Sequence, residues 1–195
     1  MKKNKQPLEM PGLDLIEKEI KRERHRTKYR NAIRSTVYTL ITVAACAVLV
    51  ATLWLPVLQI YGDSMTPTLV DGDIIVSLKE SSFDTGDMIA FYYNNKILVK
   101  RVIATEGQWV DIKEDGTVYV DEELLDEPYL IEKAFGECDI ELPYQVPDGR
   151  IFVMGDHRSV SVDSRSTTVG CVSDEQIVGK MAFRVWPLES IGSLN

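Results

Sequence analysis

The sequence predicts a mainly β protein, in which an antiparallel β-rich domain follows a single N-terminal transmembrane helix. Two observations support this prediction. A long segment without charged residues lies between Arg34 and Asp63, and short β-rich runs separated by turn residues fill most of the chain beyond it. The predicted parts are a basic N-terminal segment over 1–34, an anchor over 35–60, a β-rich domain over 61–187 and a short tail over 188–195.

The apolar segment is long enough to cross a membrane. Its central part, Val37 to Leu55, would extend about 28 Å as a helix, close to the thickness of a bilayer core. A buried helix of a soluble protein is rarely apolar on every face at this length. A cleavable signal peptide would have a shorter apolar region followed by a small-x-small site, and the following PVLQIYGD offers none. An uncleaved signal anchor is therefore predicted.

Charge is divided unevenly along the chain, and this division predicts the orientation of the anchor. Residues 1–34 contain 11 Lys/Arg against 5 Asp/Glu, whereas the whole chain has a net charge of −8. Basic flanks stay on the cytoplasmic side. We therefore expect a single-pass protein of the cell membrane with a cytoplasmic N-terminus and an extracytoplasmic, acidic β-rich domain. The acidic balance argues against a nucleic-acid partner, and the anchor implies membrane lipid as a partner.

The basic segment allows two interpretations. Residues 1–12 are polar, with two prolines and a glycine, and are predicted to be disordered. From Leu13 to Arg34 charges alternate densely, with Leu13, Ile16 and Ile20 at helical spacing. This stretch is either a helix on the inner leaflet or a solvated, partly helical tail.

Beyond the anchor, the pattern is that of short strands joined by turns. The predicted strands are Asp73–Ser77, Met88–Tyr93, Ile97–Ile103, Ile151–Met154 and Lys180–Trp186. A hairpin is predicted around Asp115-Gly116, and a second tight turn at Asn94-Asn95. A short helix near Ser173–Ile177 and a looser acidic insert over 121–147 complete the domain.

Ser64 is the candidate nucleophile. It lies in GDSMTPTL, where Gly62 permits close backbone approach and Pro67 rigidifies the loop. A serine attacks a carbonyl only if another group takes its proton. Alone, the segment is no more than a turn, because the chain has neither a G-x-S-x-G elbow nor an S-x-x-K motif.

Lys100 is the candidate general base, because it lies in ILVKRVI, a run typical of a buried strand. Alternation of side chains puts Lys100 on one face with Leu98 and Val102, and Arg101 on the other. To act near neutral pH, the lysine must have a pKa about 3 below ~10.4, and an apolar strand face supplies such desolvation. The alternative is a lysine at the edge of the sheet that reaches solvent.

A polar segment follows the predicted strand Ile151–Met154. Residues 155–170, GDHRSVSVDSRSTTVG, have the composition of a loop. Their Asp and Arg residues could pair to brace a site, and a plain surface loop is the alternative. The histidines, His25 and His157, form no cluster with cysteines that suggests a metal. The sequence leaves open whether Cys138 and Cys171 form a disulfide.

Together, the three segments resemble the type I signal peptidases, the serine–lysine proteases that remove signal peptides from exported proteins. The resemblance extends from about Ser35 to Pro187. The matching residues are Ser64-Met65-Thr66-Pro67-Thr68 in the nucleophile box, Thr85-Gly86-Asp87-Met88-Ile89 in a strand-entry motif, Lys100-Arg101-Val102-Ile103 with Gly107 in the general-base box, and Gly155-Asp156, Arg158, Ser161, Asp163-Ser164-Arg165 and Gly170 in the last box.

The resemblance implies a role for each matched side chain. Ser64 is implied to be the nucleophile, with its backbone N–H as an oxyanion donor, and Lys100 the general base. Ser161 is implied to hydrogen-bond and orient the lysine. The bracing ion pairs that the resemblance implies are Arg101–Asp156 and Asp163–Arg165.

The family also implies a substrate and a mode of binding. Its members need no metal or cofactor, prefer small residues at the first and third positions before the cut, and bind the substrate as an added strand. The implied partners are preproteins that carry signal peptides. The chain departs from the family pattern at His157, where Asn is more frequent. At Gly62 some members carry a serine that helps to bind the oxyanion, although many Gram-positive members also have glycine there.

Chain length places the candidate nucleophile close to the membrane, since Ser64 follows Leu58 by only six positions, at most about 20 Å of extended chain. Two alternatives stay open at this point. His157 could be the base of a Ser-His-Asp arrangement, or the chain could be an inactive membrane-anchored binding or scaffold protein of the same fold. A soluble self-cleaving repressor is disfavoured by the membrane span and by the lack of a DNA-binding module.

Overall fold

The computed structural model describes residues 12–80 and 82–194. Of the segment predicted to be disordered, all but Gly12 lies outside these residues. The chain divides into two compact units, with the boundary between Val50 and Ala51. The first unit holds most of a long helix, and the second contains all of the strands.

The helix, α1, runs without a break from Leu13 to Trp54. Asp14 in its first turn places a negative charge at the positive end of the helix dipole. The helix ends just before Leu55-Pro56, because a proline disfavours helical geometry in the residue that precedes it. Within the described ranges, α1 is the one helix that is long and apolar enough to cross a membrane.

Helix α1 includes part of the basic segment and most of the predicted anchor, and a position of the basic part on the inner leaflet stays a prediction. The stretch from Leu13 to Arg34 is helical along its whole length. At the other end, the anchor predicted over 35–60 is too long, because Val57–Gln59 forms a strand. The apolar character of this strand reflects packing in the second unit and not membrane insertion, since Leu58 packs against an apolar cluster of that unit.

The predicted fold class is confirmed, because the strand pairings of the second unit are antiparallel throughout the described residues. Two 3-10 helices, Asp174–Gln176 and Leu188–Ser190, lie near the C-terminus. The strands are β1 (Val57–Gln59), β2 (Ile74–Leu78), β3 (Met88–Tyr93), β4 (Lys96–Ala104), β5 (Trp109–Ile112), β6 (Val118–Val120), β7 (Glu123–Leu124), β8 (Tyr144–Gln145), β9 (Arg150–Met154), β10 (Val172–Ser173), β11 (Ile177–Trp186) and β12 (Gly192–Ser193).

The strands that the sequence predicts are all present, and so are both turns. Strand β3 has the predicted bounds. The turn at Asn94-Asn95 joins β3 to β4, and Asn94 has the positive φ of 52° that such a tight turn needs. The hairpin around Asp115-Gly116 joins β5 to β6.

Sequence patterns miss the shortest strands, β1, β7, β8, β10 and β12. Each has only two or three residues, too few to show an alternation of apolar and polar positions. Strands β7 and β8 lie in the acidic insert over 121–147, so the ends of that insert belong to a sheet.

The strands form two sheets. The larger sheet has the order β1-β2-β11-β3-β4-β9-β10, with β12 beside β11, and the smaller sheet has the order β7-β6-β5-β8. Strand β4 therefore lies between β3 and β9 in the interior of the larger sheet, whereas β1 is an edge strand.

Three apolar clusters fix the segments around β4. Met65 and Leu69, from the loop between β1 and β2, belong to the first cluster. Val102 and Val153, from β4 and β9, belong to the second. The third joins Met154 to the smaller sheet. The loop that carries Ser64 and the end of β9 are consequently both anchored in the core.

Candidate active site

Ser64 lies in an ordered loop between β1 and β2. The two ends of the loop are closed by a hydrogen bond of 2.8 Å from the Ile60 N–H to the Asp73 carbonyl. Inside the loop, Gly62 has a φ of +86°, and its N–H donates to the Asp71 carboxylate at 2.7 Å. The loop is thus held at both ends and in its middle, unlike a free surface turn.

Lys100 reaches Ser64 from the interior of the larger sheet. It pairs with Ile89 across β3 and β4, and only 2% of its surface is exposed. Its Nζ donates a hydrogen bond of 2.6 Å to Ser64 Oγ. The alternative of an edge lysine that extends into solvent is therefore wrong.

Burial lowers the pKa of Lys100 from its usual 10.5 to about 8. Desolvation of the ammonium group is the main cause. The negative charges of Asp163 and Asp156 favour the ammonium and oppose the fall in pKa, whereas the positive charge of Arg165 adds to it.

Arg101, the residue after Lys100, forms a bidentate ion pair with Asp156. Its Nε and Nη2 donate to the two carboxylate oxygens at 2.8 and 2.6 Å. Thr68 of the Ser64 loop donates to the same carboxylate at 2.5 Å. Asp156 is therefore bound both to β4 and to the loop that carries the candidate nucleophile.

Asp163 and Arg165 form a second bidentate pair, and neither side chain is exposed. Arg165 Nε and Nη2 donate to the Asp163 carboxylate, each at 2.8 Å. The Gly155 N–H donates to that carboxylate at 3.0 Å, and Arg165 also donates to the Arg158 carbonyl at 2.9 Å. This buried ion pair therefore fixes the conformation of residues 155–165.

Ser161 is buried beside Gly155, and its side chain makes no hydrogen bond to Lys100 in this structure, so the orienting role that the resemblance implies stays a prediction. Its Oγ has no hydrogen-bond partner among the described residues, because Lys100 Nζ is directed to Ser64 Oγ. Ser161 Oγ packs against Gly155 instead. A Cβ at position 155 would overlap that Oγ and lie 2.5 Å from the Ser64 carbonyl oxygen.

His157 contacts the Ser64 loop without reaching the Ser64 hydroxyl. Its backbone N–H donates to the Ser64 carbonyl at 3.1 Å. Its Nδ1 lies 3.1 Å from Thr66 Oγ1 and 3.3 Å from the Asp63 carbonyl. In the described part of the chain, the hydrogen-bond partner of Ser64 Oγ is Lys100.

The Ser64 backbone N–H is available as a donor, since none of the hydrogen bonds found within the described residues uses it. At Gly62, two residues earlier, a Cβ would meet no atom within 4 Å. The carbonyl oxygen of a substrate bound at Ser64 could therefore accept a hydrogen bond from the Ser64 N–H. Because residue 62 is glycine, it has no side chain that could donate a second hydrogen bond to this oxygen.

A cleft of about 690 Å³ begins at Ser64 and Lys100. One wall is the chain from Leu58 to Gly62, and the other is the chain from Asn95 to Val99. Strand β1 pairs only with β2, and β4 pairs with β9 only from Arg101 onward. Each wall thus contains strand residues, 58–59 in one and 96–99 in the other, whose backbones pair with one neighbouring strand among the described residues.

The cysteines are unpaired, and no cluster of metal-binding side chains is found among the described residues. Cys46, Cys138 and Cys171 are free thiols, and burial raises the pKa of Cys171. Cys138 and Cys171 therefore form no disulfide in this structure. Among the described residues, no group of three or more His, Cys, Asp or Glu side chains is arranged to hold a metal ion.

Sequence reasoning misses two groups that brace the site. Thr68 is the first, because its link to Asp156 depends on the folding of the loop onto β4. Glu127 is the second: its carboxylate is 1% exposed and pairs with Arg158. Glu127 lies in an acidic insert, where a single sequence gives no signal that separates one buried carboxylate from its exposed neighbours.

The fold and the site define a β-rich protein with a serine hydroxyl against a buried lysine, the arrangement of a serine hydrolase that uses an amine base. The family model described as "Signal peptidase, peptidase S26" matches residues 33–186. The chain belongs to this family, and the resemblance inferred from its sequence is confirmed.

The chain is similar to several known proteins. Signal peptidase IB of Staphylococcus aureus (strain COL) is 38% identical over 148 residues, which cover 66% of this chain and 76% of that protein. Thylakoidal processing peptidase 1, chloroplastic, of Arabidopsis thaliana is 34% identical over 141 residues, which cover 64% of this chain and 40% of that protein. The crystal structure of a signal peptidase I from Enterococcus faecalis V583 is 28% identical, with a TM-score of 0.44, and covers 51% of this chain and 96% of that chain.

Proposed function

We propose that this chain is a membrane-anchored serine endopeptidase that removes signal peptides from exported preproteins, with Ser64 as nucleophile and Lys100 as general base. One observation carries the proposal: the 2.6 Å contact between Lys100 Nζ and Ser64 Oγ in a member of the signal peptidase family. The similarity to signal peptidases supports signal-peptide removal and gives no support to an inactive scaffold.

The reaction has two halves, and both use the same pair of side chains. Neutral Lys100 takes the hydroxyl proton as Ser64 Oγ attacks the scissile carbonyl. The Ser64 N–H donates to the carbonyl oxygen as it becomes negative. The lysine ammonium protonates the departing amine, which leaves an acyl ester on Ser64. Lys100 then takes a proton from a water molecule that attacks the ester, and returns this proton to Ser64 Oγ.

The remaining site residues keep Lys100 in place and able to lose its proton. Arg101 binds Asp156, and Arg165 binds Asp163. Each arginine neutralises part of a carboxylate charge that would otherwise favour the ammonium form. The role of Ser161 in orienting the lysine is proposed from the resemblance to the family alone, since its buried Oγ makes no hydrogen bond to Lys100 in this structure.

The cleft suits an extended peptide. Its walls contain strand residues paired on one side, so a substrate segment can bind to their free backbone groups as an added strand. Alternate side chains of an extended peptide point to the same side. The first and third residues before the cut therefore enter the cleft together, which is consistent with the family's preference for small residues at these two positions.

The anchor and the membrane orientation are part of the proposal. The apolar half of α1 would span the membrane, the basic segment before Ser35 would stay cytoplasmic, and residues 61–187 would form the extracytoplasmic catalytic domain. Membrane lipid is then a partner of the anchor, and the acidic charge of the domain disfavours nucleic acid. Tethering enzyme and preprotein to one bilayer raises their effective concentration.

The proposal is tested with the full-length protein in lipid vesicles and a purified secretory precursor. We expect one new N-terminus, located by N-terminal sequencing, directly after a small residue that has another small residue two positions earlier. Bulky replacements at these two precursor positions should prevent the cut. An intact precursor after prolonged incubation in lipid would contradict the proposal.

The pH dependence of cleavage should report the titration of Lys100. With a lowered pKa of about 8, the fraction of neutral lysine rises about tenfold between pH 7 and pH 9. Cleavage therefore increases as the pH rises through this range and is lost as the pH falls. A profile of kcat/KM against pH checks this expectation. A midpoint near ~6.5, the usual pKa of histidine, would contradict it.

A His157→Asn substitution should leave this profile unchanged. The His157 backbone N–H, which donates to the Ser64 carbonyl, remains in the variant, and the substitution alters only the Nδ1 contacts with Thr66 Oγ1 and the Asp63 carbonyl. We expect kcat/KM to stay within about fivefold of the parent, because a hydrogen bond of a side chain contributes on the order of 1 kcal/mol and asparagine can replace such a contact. Loss of the alkaline midpoint would make His157 the base instead.

A further inference from the structure

Glu127 belongs to the acidic insert and to none of the matched motifs, yet it contacts a group that shapes the site. Its carboxylate accepts hydrogen bonds from both Nη atoms of the buried Arg158. Arg158 in turn donates through Nε to the Gly155 carbonyl at 3.1 Å. Glu127 thus holds, through one arginine, the glycine that packs against Ser161 and the Ser64 backbone.

Tyr129 links this contact to the arginine beside Lys100. Its hydroxyl donates to Glu127 Oε1 at 3.1 Å. Its ring lies under the Arg101 guanidinium, whose central carbon is 3.9 Å from the ring centroid, a distance at which a cation is attracted to an aromatic face. Burial, and then the Glu127 charge, raise the pKa of Tyr129, so its hydroxyl stays a donor throughout the working pH range.

Two buried arginines therefore converge on adjacent residues of the last box. Arg158 holds Gly155, and Arg101 holds Asp156. Glu127 and Tyr129 contact one arginine each and are joined by the tyrosine hydroxyl. We propose that Glu127 and Tyr129 are positioning residues, which hold the Gly155-Asp156 segment against the Ser64 loop during the reaction. This inference rests on the proposed function.

Neither positioning residue lines the cleft that begins at Ser64. Their effect should therefore fall on the chemical step and leave substrate binding unchanged. A change in kcat with a constant KM is the expected signature.

Tyr129 should also affect the pKa of Lys100, through the charged groups around the lysine. Asp163 and Asp156 favour the lysine ammonium, and Arg165 opposes it. Arg101, which is only 7% exposed, neutralises part of the Asp156 charge. Without the Tyr129 ring, water reaches Arg101 and weakens its pairing with Asp156. Lys100 then meets a stronger negative charge in a wetter environment, and both changes raise its pKa.

A Tyr129→Met substitution tests the inference, because methionine fills an irregular space without an aromatic face or a hydroxyl. In the full-length enzyme in vesicles, we expect kcat to fall about tenfold at neutral pH, with KM within about twofold of the parent. The acid limb of the kcat profile should move to higher pH by about 0.5. Tyr129→Phe keeps a ring under Arg101 and should restore the parental acid limb.

A matched control is available in the smaller sheet. The Tyr119 ring lies in β6, outside the matched boxes, 5.7 Å from Lys113 Nζ, and Tyr119→Met should change neither kcat nor the acid limb. Parental kcat and pH profile in Tyr129→Met would overturn the inference, as would an equal loss in Tyr119→Met. A lower thermal midpoint with parental kcat per folded molecule would also overturn it.

If Tyr129→Met does not fold, Tyr129→Trp takes its place. The indole keeps a face for Arg101, so the parental acid limb is expected, and a displaced limb would contradict the inference. Failure of the proposed function itself appears differently, as a lack of precursor cleavage by the unsubstituted protein.

Discussion

Replacement of Lys100 by methionine should abolish precursor cleavage and leave the protein folded. Methionine has a stem similar to that of lysine but supplies no base, so Ser64 Oγ loses the amine that lies 2.6 Å away. Removal of the proton acceptor from a serine nucleophile lowers kcat by at least ~10³-fold. The free energy of unfolding should not fall, because burial lowers the Lys100 pKa and the ammonium is therefore costly in the folded state.

The exposed lysine of the smaller sheet provides the control. The Lys113 side chain is 56% exposed, so Lys113→Met should cleave the precursor like the parent. Single-turnover cleavage and thermal unfolding of both variants separate a loss of chemistry from a loss of fold. Cleavage by Lys100→Met at a rate near that of the parent would remove Lys100 from the mechanism.

Gly155→Ala should have the largest effect on cleavage among substitutions outside the Ser64–Lys100 pair. The added Cβ would overlap Ser161 Oγ and lie 2.5 Å from the Ser64 carbonyl oxygen. The Ser64 carbonyl is backbone and cannot rotate away, so either the Ser64 loop or the chain at residue 155 has to move. A displacement of about 1 Å in a catalytic group costs about 10²-fold in rate, and we expect a loss of kcat of that size.

A glycine in open space serves as the control for this substitution. At Gly192 in β12, a Cβ would meet no atom within 4 Å, so Gly192→Ala should retain parental kcat. Steady-state cleavage of the same precursor measures both variants. Parental kcat in a folded Gly155→Ala enzyme would show that close packing at residue 155 is not needed for the reaction.

The strands could be predicted because their sequences alternate and their turns are marked. β3 and β4 carry apolar runs on either side of Asn94-Asn95, and a two-residue turn of this kind fixes the register of the pair. The boundary after α1 could not be predicted, because Leu58 is as apolar as the anchor that precedes it. Only the packing of the folded sheet shows that β1 belongs to the second unit.

The residue types of the candidate site could be predicted, but their contacts depend on tertiary structure. Ser64 and Lys100 are 36 residues apart and meet because β4 lies inside the sheet and the loop after β1 folds over it. The contact of Arg101 with Asp156 joins residues 55 apart. The free Oγ of Ser161 could not be foreseen, since it depends on the direction of a single lysine side chain.

The buried charges explain why the site needs more residues than its motifs contain. Arg158 is fully enclosed, and an unpaired buried charge of this kind costs about 3–5 kcal/mol. A carboxylate from outside the motifs, Glu127, is therefore required to pair with it. Local sequence patterns do not identify such a partner, because it comes from 31 residues earlier in the chain.

Product formation by Ser64→Ala, compared with that by the unsubstituted protein, tests most directly whether Ser64 is the nucleophile. Both proteins are placed in identical lipid vesicles with the same precursor, and processing is followed over time with N-terminal sequencing of the product. We expect the unsubstituted protein to release the mature protein with a single new N-terminus, and Ser64→Ala to process it at least ~10³-fold more slowly. Processing by Ser64→Ala at the same bond and at a rate near that of the parent would contradict the proposed mechanism.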